Sequence, residues 1–253
     1  MARRKDPFLD QGYVREVRLR RSEVPDFSKY PFSIPAVGKL DALPLHPRLT
    51  FLVGENGSGK STLVEAIAVA AGLNAEGGSK QIRFAHRPTE SELCRHLTLV
   101  RGVRREKTGF FLRAETLFNV FTEMENAGSV PESPHLRSHG EAFIWLVSER
   151  FYPSGFYVLD EPESALSPQR QLVLLRHIHL LARDGAQFVI ATHSPILMAY
   201  PCSTIYLLGP DGIRSIAYEE TEHYSVTRAF LECPATMFKH LLAEEPEESG
   251  EPE

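Results

Sequence analysis

The stretch Gly54-Glu55-Asn56-Gly57-Ser58-Gly59-Lys60-Ser61-Thr62 constrains this chain more than any other. It reads G-x-x-x-x-G-K-[ST]. The apolar run Leu49-Thr50-Phe51-Leu52-Val53 before it predicts a buried strand, and residues 63–70 after it predict a helix ending at Gly72. A strand, a glycine-rich turn and a helix in that order form a phosphate-binding loop. The glycines let consecutive backbone N–H groups converge on phosphate oxygens, and the helix N-terminus adds positive potential. Lys60 would reach the β- and γ-phosphates, and the Ser61 hydroxyl stands where a Mg²⁺ ligand is needed.

The rest of the chain bounds what such a loop can serve. Its 253 residues, 42% hydrophobic and 24% charged, suit one sizeable soluble domain over residues 1–243. Residues 244–253 hold six glutamates and two prolines and predict an acidic, disordered tail. That tail accounts for the net charge of −5, and the body is close to neutral. No apolar run approaches the roughly 20 residues that span a bilayer, which excludes direct membrane insertion by a helix. The basic start, Met1-Ala2-Arg3-Arg4-Lys5-Asp6, lacks the apolar core of a signal peptide. Cys94, Cys202 and Cys233 lie far apart and form no C-x-x-C pair. Both points predict a cytoplasmic chain with reduced thiols. Arg3, Arg4, Lys5, Arg15, Arg18, Arg20 and Arg21 form a basic edge. It could touch nucleic acid or be the ordinary exposed face of a strand.

The pattern along the chain predicts an α/β fold, with a mostly parallel central sheet flanked by helices and an N-terminal antiparallel part. Residues 13–21 alternate as a half-exposed strand, and residues 32–37, broken by Pro35, read as a short extended edge. Residues 74–87 read as a loop. Residues 91–103 and 110–113 read as strands around a turn at Lys107-Thr108-Gly109. Helical periodicity covers 115–126 and 141–151, with a loop at 128–140 between them. Buried strands are expected at 155–161 and 187–192, with an amphipathic helix at 169–183 closed by Gly185. Residues 204–208 and 212–217 flank Gly209-Pro210-Asp211-Gly212 as a hairpin, and helices follow at 225–231 and 235–242.

Phe156-Tyr157-Val158-Leu159-Asp160-Glu161 carries the second piece of chemistry. The apolar residues bury the strand, and Asp160 at its end would reach the Mg²⁺ shell. Glu161 is the candidate general base for an attacking water. An Asp-Glu pair followed by Pro162 points to a hydrolase rather than a kinase.

At this point the sequence resembles a family. Asp160-Glu161-Pro162-Glu163-Ser164-Ala165-Leu166-Ser167 is similar to the Walker B and D-loop of ABC-type ATPases, with Ser167 in place of the usual Asp. Ala191-Thr192-His193-Ser194-Pro195 resembles their switch-histidine segment, which implies that His193 contacts the γ-phosphate. Arg137-Ser138-His139-Gly140-Glu141 stands where that family carries Leu-Ser-Gly-Gly-Gln. The resemblance implies that Ser138 and Gly140 bind the γ-phosphate of a partner subunit's ATP; a plain helix cap at Ser138 is the alternative. Arg113-Ala114-Glu115 follows a strand where the family's Q-loop glutamine is expected. Tyr30 and Phe32 are each either the adenine-stacking aromatic or core. Over residues 13–220 the whole pattern resembles small bacterial ATPases of the AAA/ABC-like group. These belong to the non-transporter branch of ABC-type P-loop ATPases, related to RecF-like and chromosome-maintenance heads.

That resemblance implies an ATP- and Mg²⁺-dependent ATPase. Gly54, Glu55, Asn56, Gly57, Ser58, Gly59, Lys60, Ser61 and Thr62 would hold the nucleotide, and Ser61 and Asp160 the metal. Glu161, His193 and Lys60 would be catalytic. Two copies would sandwich two ATP molecules head to tail, and hydrolysis would drive a protein partner or a nucleic-acid transaction. About 80 residues separate the phosphate loop from Ser138, too few for a long coiled-coil arm. No N-K-x-D follows a strand, which favours ATP over GTP. The alternatives are the ATPase subunit of a membrane transporter, or a slow ATP-dependent switch controlling a toxin or nuclease partner.

Overall fold

Five strands with continuous or near-continuous apolar runs line up in parallel at the centre of the computed structural model. The structure describes residues 11–75, 77–79, 91–126, 128 and 137–242. The predicted acidic tail, the basic residues Arg3, Arg4 and Lys5, and most of the predicted 128–140 loop lie outside them. The strands are β1 (Val14–Leu19), β2 (Ala42–Pro44), β3 (Leu49–Val53), β4 (Gly78–Ser79), β5 (Leu97–Arg101), β6 (Thr108–Arg113), β7 (Gly155–Asp160), β8 (Gln187–Ala191), β9 (Thr204–Gly209) and β10 (Gly212–Ile216). The helices are α1 (Pro35–Gly38), α2 (Lys60–Ala70), α3 (Leu93–His96), α4 (Leu117–Asn126), α5 (His139–Arg150), α6 (Pro168–Arg183), α7 (Pro195–Met198), α8 (Glu222–Glu232) and α9 (Pro234–Leu241).

The central sheet runs β10-β9-β3-β8-β7-β6-β4. β9, β3, β8, β7 and β6 are mutually parallel, and β10 and β4 pair antiparallel at the two edges. Both faces of this sheet are covered, which is why its strands read as apolar runs rather than alternating ones. The side chains still divide by the period of two. Phe51, Tyr157, Leu159, Phe188 and Ile190 face one core with residues of α4, α5, α6 and α7. Leu52, Phe156, Val158, Val189 and Ala191 face the other, with α2 and the second sheet.

That second sheet is antiparallel, in the order β2-β1-β5. Helix α2 lies between the two sheets and buries Leu63, Val64 and Ile67 completely. Each such side chain contributes about 1.5–3 kcal/mol. The helix that follows the phosphate loop is therefore held on both sides. Gln187 joins the sheets. It is fully buried, accepts the Val14 N–H at 3.0 Å and donates to Val14 O at 2.7 Å.

Two expectations are corrected. Residues 32–37 form no edge strand. Pro35 occupies the first turn of α1, where its missing N–H costs nothing, and Gly38 N–H returns to Ile34 O at 2.8 Å. The strand that pairs with β1 in this region is β2 instead. β5 and β6 do not form a hairpin either. Thr108 and Gly109 lie inside β6, β5 pairs with β1, and β6 pairs with β7. The fully buried run Phe110-Phe111-Leu112 suits the covered central sheet, and the partly exposed β5 suits the outer one. The predicted β9–β10 hairpin forms with Gly209 opposite Gly212.

Candidate functional site

Parallel strands bring their C-terminal ends to one edge of a sheet, and four of them assemble the site. β3 leads into the glycine-rich loop, β7 ends at Asp160, β8 leads into Thr192 and His193, and β6 ends at Arg113. The register is in step: Asp160 lies opposite Ala191 on one side and Arg113 on the other.

The loop has the backbone that its glycines allow. Gly54, Gly57 and Gly59 take φ values of 151°, 80° and 94°. At Gly59 a side chain would also meet Ile34 Cγ2 at 2.7 Å. A Cβ at Gly57 would meet nothing within 4 Å, so the cradle is open there. Glu55 and Asn56 are exposed, and Ser58 Oγ is buried without a hydrogen bond. Lys60 is buried and donates to Gly54 O and Glu55 O, each at 2.9 Å. Burial lowers its ammonium pKa, against the upward pull of Glu161, Asp160 and Glu163. Ser61 Oγ donates to Asp160 Oδ1 at 3.1 Å. An open backbone cradle, an orphaned hydroxyl and a Ser–Asp oxygen pair fit a nucleoside triphosphate with a hard divalent cation.

Arg113 fills the position where a glutamine was sought. Its Nε donates to Asp160 Oδ2 at 2.9 Å and its Nη2 to Glu65 Oε2 at 3.0 Å. All three side chains are largely buried. Burial raises the Asp160 carboxyl, although Arg113 and Ser61 pull it down. Burial also opposes the Arg113 charge, but the attraction of Asp160 and Glu65 outweighs it and raises that pKa. Together these shifts describe a desolvated anionic site that one guanidinium only partly compensates. A cleft of about 420 Å³ opens beside it, lined by Tyr30, Ser61, Thr62, Glu65, Arg113 and Glu161 among others.

Glu161 sits in the left-handed region at φ 47° and ψ 53°. That conformation costs a non-glycine residue about 1–2 kcal/mol. Its N–H donates to Ala191 O at 3.0 Å, and Ser164 donates to its carbonyl through N–H and Oγ–H. The strained backbone aims Glu161 into the cleft beside Asp160. Across from it, His193 Nε2 is buried without a hydrogen bond, 3.5 Å from Glu161 Oε1. The His193 N–H donates to Glu163 Oε1 at 2.5 Å, and its Nδ1 lies 2.8 Å from His223 Nε2. Burial, then Lys60 and His223, push the His193 imidazole down to about 4.

The signature-like residues sit elsewhere. Ser138 caps α5 in a reciprocal capping box with Glu141. Arg170 of α6 donates to Ser138 Oγ at 3.1 Å and to Glu141 Oε1 at 2.9 Å. Gly140 is buried against Arg170 and Ala165 O. Among the described residues, no hydrogen bond or ion pair links Ser138 to the phosphate loop of its own chain. Tyr30 and Phe32 separate clearly. Phe32 is 2% exposed and packs edge-on against His96; Tyr30 is 66% exposed, with its hydroxyl 3.2 Å from Thr62 Oγ1. Three arginines of the basic edge are locally paired: Arg18 with Glu16, Arg20 with Glu23 and Arg21 with Asp41. Arg113 and His223 are site residues that sequence reasoning did not find. The first was visible only as a strand end, and the second carries no motif.

Two family models match the chain. One, described as "AAA domain", covers residues 32–108, and so the phosphate loop and α2. The other, described as "AAA domain, putative AbiEii toxin, Type IV TA system", covers residues 142–199, and so Asp160, Glu161 and His193. The two matched segments, which carry the phosphate loop and the acidic strand end, are similar to AAA-type ATPase domains. No curated protein matches the chain. Solved structures similar to it include the SMC head domain from Thermotoga maritima, at 17% identity and a TM-score of 0.45 over 81% of this chain and 99% of that one. Another is cbiO1 from Clostridium perfringens, part of the ABC transporter complex cbiONQ, at 14% identity and a TM-score of 0.43 over 80% and 90%. No described helix is long and apolar enough to cross a membrane.

Proposed function

We propose that this chain binds ATP with Mg²⁺ and hydrolyses it, and that two copies close head to tail around the nucleotide. The observation that carries the reading is the convergence of Lys60, Ser61, Asp160, Glu161 and His193 at one edge of the parallel sheet. The loop from Gly54 to Thr62 would hold the phosphates, and Ser61 and Asp160 the cation. Bound there, Mg²⁺ would supply charge neutralisation for the transferred phosphoryl group.

The protein's own part is positioning and proton handling. Lys60 is desolvated and exchanges two carbonyl partners for phosphate oxygens. Glu161, fixed by its backbone, orients a water and accepts its proton. His193 presents an unpaired Nε2 towards the same space. Tyr30, exposed beside Thr62, is the candidate platform for adenine. Ser138 and Gly140 would complete the partner copy's site, and Arg170 would add a cation beside them.

The test is the mass of Glu161→Gln in solution with and without ATP-Mg²⁺, with wild-type phosphate release alongside. An ATP-dependent dimer of the variant and turnover by wild type are expected. Turnover by Glu161→Gln at the wild-type rate refutes Glu161 as the base. The work done by turnover is read as acting on a protein partner or a nucleic acid in repair or genome defence. The match to a model described with a toxin system favours one second reading, a slow ATP-dependent switch over a toxin-type partner. An ATP-closed dimer with negligible phosphate release would favour that reading.

A further inference from the structure

We propose that His223, carried on α8, is a positioning residue that holds His193 in the tautomer needed to donate a hydrogen bond to the terminal phosphate. This rests on the ATPase reading above, and it adds a residue that belongs to none of the site's motifs.

The geometry supplies the argument. His193 Nδ1 and His223 Nε2 are 2.8 Å apart, and their rings meet at 4.9 Å between centroids. A contact that short between two nitrogens needs one proton between them. Burial and the nearby Lys60 ammonium push both imidazoles below their ordinary range, which favours the neutral form of each. Two arrangements then remain. In one, His193 Nδ1–H donates to His223 Nε2, and His193 Nε2 is left with a bare lone pair. That lone pair would face Glu161 Oε1 at 3.5 Å and any phosphate oxygen in the loop, all of them acceptors. In the other, His223 Nε2–H donates to His193 Nδ1, and the His193 proton sits on Nε2. Only this arrangement turns a donor towards the two anions. His223 selects it.

The pair is held from both sides. Tyr218 Oη–H donates to Pro195 O at 2.9 Å, and Thr221 Oγ1–H donates to Tyr218 O at 2.7 Å. Thr221 in turn caps the start of α8, in whose first turn His223 lies. On the other side, Ser194 Oγ–H donates to the buried Gln171 Oε1 at 2.6 Å. His223 also lines the cleft along the outer side of the phosphate loop, opposite Gly54 to Ser58. The start of α8 is thus built into the nucleotide site through the contact between the two rings.

The test reads the tautomer directly. Imidazole ¹⁵N spectra of the full chain, without nucleotide, are assigned to His193 by comparison with His193→Gln. Wild type is expected to show His193 protonated on Nε2 and bare on Nδ1, and His223→Leu is expected to show a mixture. In turnover, His223→Leu should lose about tenfold to a hundredfold in kcat, the worth of one hydrogen bond to a charged group. Its KM for ATP-Mg²⁺ should move little. His223→Gln, whose amide N–H can donate in the same direction, should recover to within about threefold of wild type. A wild-type His193 protonated on Nδ1 overturns the proposal. So does a His193 spectrum unchanged in His223→Leu, whatever the rate. The wild-type spectrum needs no variant to fold. Absence of phosphate release from wild type would refute the ATPase reading, while the nitrogen spectrum would still decide the role of His223.

Discussion

Removing Arg113 should destabilise the protein and at the same time sharpen its response to Mg²⁺. The guanidinium joins Asp160 and Glu65 through hydrogen bonds of 2.9 and 3.0 Å. The side chains of Arg113, Asp160 and Glu65 are 17%, 4% and 15% exposed. Arg113→Ala would leave two carboxylates facing each other, with Ser61 the remaining hydrogen-bond donor to Asp160. Losing one partner of a buried ion pair costs about 3–5 kcal/mol, and water entering the adjoining cleft places this case near 3. For a chain of this size 1 kcal/mol is about 2–4 °C in Tm, so a fall of about 6–12 °C is expected.

Thermal unfolding followed by circular dichroism, with and without millimolar Mg²⁺ and no nucleotide, reads both effects. In Arg113→Ala the Asp160 and Glu65 carboxylates and the Ser61 hydroxyl face a space that a hard cation can enter. Mg²⁺ should therefore raise the Tm of the variant more than that of wild type. Glu65→Gln added to Arg113→Ala should recover part of the loss, because one of the stranded charges is gone. A Tm fall below about 2 °C would mean that water already compensates these carboxylates and that the ion-pair reasoning is wrong.

Other expectations follow from single contacts. Ser138→Ala should lose about 1 kcal/mol through the α5 cap, whereas Ser138→Asp keeps a capping oxygen and should leave Tm unchanged. Ser138→Asp should nonetheless abolish the ATP-dependent dimer of Glu161→Gln; a dimer that persists makes Ser138 a cap and nothing more. Tyr30→Ala should weaken ATP binding by about 1–3 kcal/mol with Tm unaltered, and Phe32→Ala should lower Tm by about 3–5 kcal/mol worth of stability. Equal ATP affinity in Tyr30→Ala and wild type removes Tyr30 from the site. His193 stays neutral in the folded protein down to about pH 4, while the unfolded chain takes up that proton near pH 6.5. Stability should therefore fall as pH drops from about 6.5 to 4, and His193→Gln should flatten that slope; parallel curves for the two proteins would contradict it.

The motifs were legible because each depends on its own backbone. The phosphate loop needs glycines at positive φ, and Gly54, Gly57 and Gly59 show them. Asp160 needs the buried strand that precedes it, and Phe156 to Leu159 announce one. The strands β3, β7 and β8 were read correctly for the same reason, since burial on both faces leaves an apolar run that no exposed strand would carry, whereas the short β4 lies in residues read as a loop and β6 starts in residues read as a turn. Pro35 misled because proline breaks a strand and starts a helix with equal ease, and only the later pairing of β1 with β2 decides between them. Arg113 and Asp160 are 47 residues apart and meet because β6 lies in register beside β7. The order of strands in a parallel sheet is set by how helices pack over it, and no local pattern records that order. His223 meets His193 across 30 residues, through a helix whose own apolar residues are not buried. A residue that acts through its own loop leaves a motif; one that acts through another residue's ring leaves none. The parts of this site that tune charge, Arg113 at the carboxylates and His223 at His193, are therefore the ones that only the assembled sheet could reveal.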